Sequence, residues 1–170
     1  MKSIYLLAVV LLFSININAQ NFVSQKGGHS YTMDIPRYMM KSFELNDAAS
    51  LQYQNAVKEA YVITIEDSKE ELQSLGMLFL NPTEFLENFI EEYQVNAENR
   101  ALSPIAEFIN NGNNHSQIEM TWTEEGTGFY MLITVVETKT HFYKVLCWTL
   151  AEYKDSLKND YLTISKSLKD

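Results

Sequence analysis

From residue 102 to residue 148 the apolar residues recur with a period of two, in four runs (102–109, 116–123, 129–136 and 141–148). The gaps between the runs carry turn chemistry: Asn110-Asn111-Gly112-Asn113, Glu124-Glu125-Gly126-Thr127 and Glu137-Thr138-Lys139-Thr140. Period-two runs joined by such short gaps fold as antiparallel neighbours, because a parallel return needs a crossover of a dozen or more residues. The pattern therefore predicts a four-stranded antiparallel meander. The run 129–136 is apolar on both faces, as a central strand covered on both sides should be. Layers must then pack on each side of the sheet.

The flanking sequence supplies those layers. Residues 29–35 alternate, with Tyr31, Met33 and Ile35 on one side, and read as a strand stopped by Pro36. Residues 21–28 before it read as a short polar leader ending in Gly27-Gly28. The segment 49–67 reads as a β-hairpin: Leu51, Tyr53, Asn55 and Val57 alternate with polar partners, giving a first strand with one wet face, and 61–65 is a more deeply buried second strand. The tip near Lys58-Glu59 lacks the usual turn residues. On this reading Tyr61→Asp or Ile63→Asp unfolds the chain, since an unpaired buried carboxylate costs several kcal/mol.

Helix signals complete the pattern. Asp67 or Ser68 caps a short helix through Leu75, which Gly76 ends. Asn81-Pro82-Thr83-Glu84 starts a second helix, with Phe85, Phe89, Ile90 and Tyr93 at helical spacing, running to about Glu98. Thr149 and Glu152 form a T-x-x-E box before a terminal helix striped by Leu157, Tyr161, Ile164 and Leu168. With no internal repeat or linker, residues 20–170 read as one α+β domain, an antiparallel sheet with helices packed on its faces.

The chain opens MKSIYLLAVVLLFSININAQ, a positive Lys2, an apolar stretch too short to span a bilayer, and a small residue at Ala19. Residues 1–19 read as a cleaved signal peptide, so the chain is expected to be exported, periplasmic or extracellular, and soluble. Its one cysteine, Cys147, is far from the cut, which rules out a lipoprotein anchor there and any intramolecular disulfide. No later apolar run is long enough for a membrane helix. The net charge of −9 becomes more negative when Lys2 is removed, and it argues against nucleic acid and anionic lipid as partners.

The element order, with "SYTMDIPRYM", "LQYQNAVKEAYVITIED", a helix, a meander and a terminal helix ending "ISKSLKD", resembles the PsbP-like superfamily over about residues 31–169. That fold is shared by photosystem PsbP subunits, Ran-binding Mog proteins and the envelope protein DcrB. The resemblance implies an α/β/α sandwich and a binding or assembly factor. It carries no family-wide functional residue onto this chain. The leader ending "NAQ" is similar to those of exported Bacteroidota proteins.

Candidate chemistry is sparse. There is no G-x-S-x-G, H-E-x-x-H, C-x-x-C, Walker or EF-hand pattern, and Gly27-Gly28-His29 is too short to cradle a phosphate. His115, Glu137 and His141 fall at one end of the meander and are the candidates for a metal site; the competing reading is polar residues flanking turns. Cys147 in "KVLCWTL" is either a nucleophile or, in so apolar a strand, a small core residue. Glu84, Glu87, Glu91 and Glu92 line one helix face and read as acid-base pairs, a calcium site or solvated charge. Trp122, Trp148, Tyr130 and Tyr143 form either a ligand platform or core. Asn114-His115-Ser116 fits a glycosylation sequon; if the host is bacterial, as the leader suggests, the match is accidental.

These observations favour a non-enzymatic binding or assembly factor, without cofactor, acting on another envelope or extracellular protein through the loops 97–103 and 110–114. Two alternatives stand beside it. One is a small-molecule carrier or metal-dependent hydrolase with a pocket between sheet and helices; the other is a permanent structural component of a larger assembly.

Overall fold

The computed structural model describes residues 21–28 and 30–170; the expected signal peptide and His29 lie outside the described residues. The chain begins with a hairpin, β1 (Phe22–Gly27) and β2 (Tyr31–Pro36), paired from Phe22 opposite Pro36 to Gly27 opposite Tyr31. The segment expected to be a polar leader is thus a strand. Gly27 is required there, because a Cβ would stand 2.2 Å from the Tyr31 ring, and Gly28 turns the chain at φ +52°.

A second sheet of eight strands follows. Its elements are β3 (Met40–Lys41), β4 (Leu51–Asn55), β5 (Ala60–Ser68), β6 (Glu98–Leu102), β7 (Ala106–Asn110), β8 (Asn113–Glu124), β9 (Thr127–Glu137) and β10 (His141–Leu150). Spatial order is β3-β4-β5-β10-β9-β8-β6, with β7 also on β8 and each of these pairs antiparallel. The expected first strand of the meander is two strands, β6 and β7, laid end to end along the twelve-residue β8. Pro104 lies in the break, where it has no N–H to give a ladder. Ser103 bridges the gap, its N–H reaching the Glu119 carbonyl at 2.9 Å and its hydroxyl accepting from the Glu119 N–H at 3.0 Å.

The helices are α1 (Lys69–Ser74), α2 (Pro82–Glu92) and α3 (Lys154–Lys166). Ser68 and Asn81 cap the first two by accepting from the Glu71 and Glu84 N–H groups. Helix α2 stops at Glu92, short of the expected Glu98. Its apolar stripe ends at Tyr93, Gln94 turns left-handed at φ +54°, and the Arg100 guanidinium donates to the carbonyls of Ile90 and Tyr93. The expected Thr149–Glu152 capping box does not form. Thr149 still belongs to β10, buried among its neighbours, and a 3-10 turn (Ala151–Tyr153) leads into α3.

Both faces of the sheet are covered. On one, the β1–β2 hairpin and α3 enclose Tyr31, Met33, Val62, Tyr130, Leu132, Val145 and Cys147, and the stripe Leu157, Tyr161, Ile164 and Leu168 is buried as expected. Lys154 and Lys158 tie α3 to Glu119 of β8 at 3.0 and 2.6 Å. Burial alone would raise the Glu119 carboxyl; the two lysines outweigh it and hold it below its ordinary value. On the other face α2 packs Phe85, Leu86 and Ile90 onto Ile63, Ile118, Met120, Ile133 and Leu146. The result is an α+β sandwich, with β9 apolar on both sides.

Candidate functional site

The metal candidates are not brought together. Strand pairing places His115 opposite Val136 and Asn114 opposite Glu137, so His115 and Glu137 lie on opposite faces of the sheet. Phe142 is opposite Glu137, which puts His141 on the other face as well. Glu137 is held by Lys69 at 2.7 Å and by the Asn114 amide at 3.1 Å. His115 is buried, stacked on Phe108 with ring centroids 4.9 Å apart, its Nδ1 3.0 Å from the Asn113 carbonyl. Burial lowers its pKa. His141 bonds to the Thr140 hydroxyl at 2.9 Å. Among the described residues no group of three or more His, Cys, Asp or Glu side chains is arranged to hold a metal ion.

The other candidates resolve similarly. Cys147 is fully buried, and burial drives its thiol far above the ordinary value, which favours the core reading. The carboxylates of α2 are exposed to solvent, and Glu84 accepts from the Leu80 N–H at 2.6 Å beside the helix cap. The two contact loops expected from sequence are structurally engaged. Residues 98–102 are the edge strand β6, and the Asn110 and Asn111 amides donate to carbonyls at the end of α3.

The aromatic platform divides by face. Tyr130 and Tyr143 are fully buried beneath α3 and the hairpin. Trp122 and Trp148 lie on the α2 face, where the register sets Tyr61, Trp148 and Met131 side by side and Phe129 next to Trp122. Tyr61 stacks on Trp148 at 5.2 Å and Phe129 on Trp122 at 5.2 Å, giving an aromatic floor across four strands. Tyr61, Trp148 and Phe129 remain half-buried.

Two walls rise from this floor. Phe89 and Tyr93, stacked at 4.9 Å at the end of α2, make one. Leu45 and Asn46 of the segment 42–50 make the other. That segment is pinned by Gln52, whose carbonyl accepts from the Leu45 and Asn46 N–H groups at 2.9 and 3.2 Å and whose amide donates to the Asn46 carbonyl at 2.7 Å. The face of β4 expected to be wet is therefore covered. Between the walls lies a groove of about 320 Å³, floored also by Ile63, Ile65 and Leu146 and rimmed by Asn46, Gln94 and Glu124. Burial, with Glu124 nearby, raises the Tyr93 hydroxyl and keeps it protonated. The lining offers apolar area, ring faces and a few polar rim groups, which is the chemistry of recognition.

A second exposed feature joins α1 to α2. Gly76, at φ +77°, ends α1 with N–H bonds from Gly76 to Gln73 and from Met77 to Leu72. Phe79 then plugs inward, edge-on to Phe85 and Phe142 at 4.9 and 6.2 Å. Its neighbours Leu78 and Leu80 are 72 % and 84 % exposed. The result is an apolar knuckle held in shape at both ends.

No family model and no curated protein matches the sequence. Solved structures share the fold. The solution structure of cyanobacterial PsbP from Synechocystis sp. PCC 6803 superposes with a TM-score of 0.62 at 11 % identity, covering 91 % of this chain and 95 % of that one. LpqN, involved in cell envelope biogenesis of Mycobacterium tuberculosis, gives 0.61 at 10 % identity over 90 % and 93 %. A Pseudomonas aeruginosa protein of unknown function, PA94, a putative regulator, gives 0.50 at 9 % identity over 84 % and 92 %. At such identities the likeness is one of fold alone: this chain has the PsbP-like architecture.

Proposed function

We propose that this protein is an exported, non-enzymatic binding or assembly factor, with residues 20–170 forming one working domain once residues 1–19 are removed. It engages another envelope or extracellular protein through the aromatic groove. The observation that carries this reading is the incompletely buried floor of Trp148 and Phe129, with Tyr61 stacked on Trp148. Apolar area left in water forgoes about 25 cal/mol per Å² of burial, and aromatic rings in a polar-rimmed groove are the usual anchor points of interfaces. The hydrolase alternative loses its support with the separation of His115, Glu137 and His141 across the sheet.

The test is affinity capture with tagged mature protein from the native envelope and culture fluid, run beside the groove-filling variant Ile65→Trp. An enriched envelope protein that the variant fails to capture, at unchanged melting temperature, supports the reading. Equal capture by both proteins would place the contact elsewhere.

A further inference from the structure

The groove does not end at its rim. Gln94 and Glu124 also line an adjoining depression of about 470 Å³, formed with Glu92, Glu98 and Glu125. Four carboxylates thus gather beside an apolar, aromatic cavity. Among the described residues no lysine or arginine forms an ion pair with any of the four. Arg100, the cation nearest in sequence, is committed to the carbonyls at the end of α2. The carboxylates are held in place by backbone: Glu124 ends β8, Glu125 sits in the β8–β9 turn at φ +50°, and Glu98 opens β6.

We propose, building on the groove reading, that the occupant is a peptide segment of the partner that seats one aromatic or branched apolar side chain in the groove. The lysine or arginine residues that follow it lie over the four glutamates. Charge complementarity selects the cation: like charges facing each other repel, and a protein of net charge −9 attracts basic segments from a distance. A peptide is favoured over a simple amphiphile by the position of Glu98. It is the first residue of β6, the last strand in the sheet order, and among the described residues no strand pairs with the outer edge of β6, which leaves that edge to an added strand.

Trp122 and Trp148 are the protein's two tryptophans, and both line the groove, so intrinsic fluorescence reports on this site. Tryptophan-free peptides are titrated into mature protein: acetyl-Phe-Lys-Lys-amide, acetyl-Phe-Gln-Gln-amide, acetyl-Phe-Glu-Glu-amide and acetyl-Ser-Lys-Lys-amide, with dodecylamine as a backbone-free control. The expected result is an emission change with Phe-Lys-Lys at about tenfold higher affinity than Phe-Gln-Gln, since two surface ion pairs together supply roughly one decade. That gap should close in 1 M salt and in the double variant Glu124→Gln, Glu125→Gln, whose melting temperature is unchanged. Equal binding of all three Phe peptides overturns the cationic preference and leaves the groove reading standing. Binding of Ser-Lys-Lys as tight as Phe-Lys-Lys removes the aromatic anchor. Tighter binding of dodecylamine than of any peptide replaces the peptide with a cationic amphiphile. No emission change with any probe overturns both this inference and the groove.

Discussion

Lys144 is the polar residue in the middle of β10, between Phe142 and Leu146, and it points into the face that α2 covers. Its ammonium lies 3.0 Å from the Asp67 carboxylate and 5.3 and 5.6 Å from the centroids of Phe85 and Phe89. The two charged side chains are 16 % and 25 % exposed, between a surface pair and a buried one. Exposed pairs contribute about 0.2–1 kcal/mol, whereas breaking a buried pair costs about 3–5 kcal/mol. Lys144→Met keeps the packed stem and removes the charge, leaving Asp67 partly hydrated. The expected loss is therefore about 2 kcal/mol, or a melting temperature lower by roughly 4–8 °C for a domain of this size. Urea unfolding of Lys144→Met, Asp67→Asn and the double variant closes a cycle, with an expected coupling of about 1–2 kcal/mol. Additivity to within about 0.3 kcal/mol would refute the claim that the pair is desolvated beneath α2.

Four further outcomes follow from the packing. Ile63→Asp, at a buried position, should abolish folding, while Tyr61→Asp, half-buried where it stacks on Trp148, should leave a folded protein, contrary to the expectation from sequence; circular dichroism separates the two. Phe79→Ala should cost about 2–4 kcal/mol in urea unfolding, whereas Leu78→Ser and Leu80→Ser should stay within about 0.5 kcal/mol of the parent. Cys147 should resist thiol reagents until the protein unfolds, and labelling of the native state would contradict its burial. His115 has its pKa lowered from 6.5 in the folded state, so the unfolded chain binds the proton more readily. Stability should therefore be full above about pH 6.5 and fall as pH drops from there towards the depressed folded value; His115→Phe should flatten that part of the curve.

The sequence carries the fold where local chemistry and global pairing agree. Gly112 and Gly126 close the turns of the meander, Asn81-Pro82 starts α2, and the stripe through Tyr161 lands on the sheet, because each signal is decided within a few residues. It misleads where a distant partner decides. Phe22 to Gly27 lacks strict alternation and becomes a strand because β2 offers it an edge. Gln52 looks solvent-facing, yet it is buried because the segment before it folds back and uses its amide as an anchor. The groove was hidden for the same reason. Its floor and walls come from Leu45, Ile63, Phe89, Trp122 and Trp148, and no spacing rule joins five segments so far apart.

Two neighbouring residues of one strand show why the α2 face is the one to test. Tyr130 points towards α3 and is fully buried, as are Tyr31, Tyr143 and Tyr161 on that side. Three of these four spend their hydroxyls within the fold: Tyr31 on Ser50 at 2.8 Å, Tyr143 on Asp170 at 3.0 Å and Tyr161 on the Trp148 carbonyl at 2.6 Å. A phenol can be sealed in a core when its O–H has a partner, and these bonds close that face. Phe129, the preceding residue, points the other way and is only partly buried beside Trp122. Helix α2 is eleven residues, about 16 Å long, too short to roof a floor that runs from Phe142 to Trp148. The Phe142 end is closed by Phe79 and Phe85; the Trp148 end is left open as the groove. Lengthening α2 by a turn that carries apolar residues over Trp148 should therefore raise stability and abolish binding together, a trade-off expected of a site and not of a packing defect.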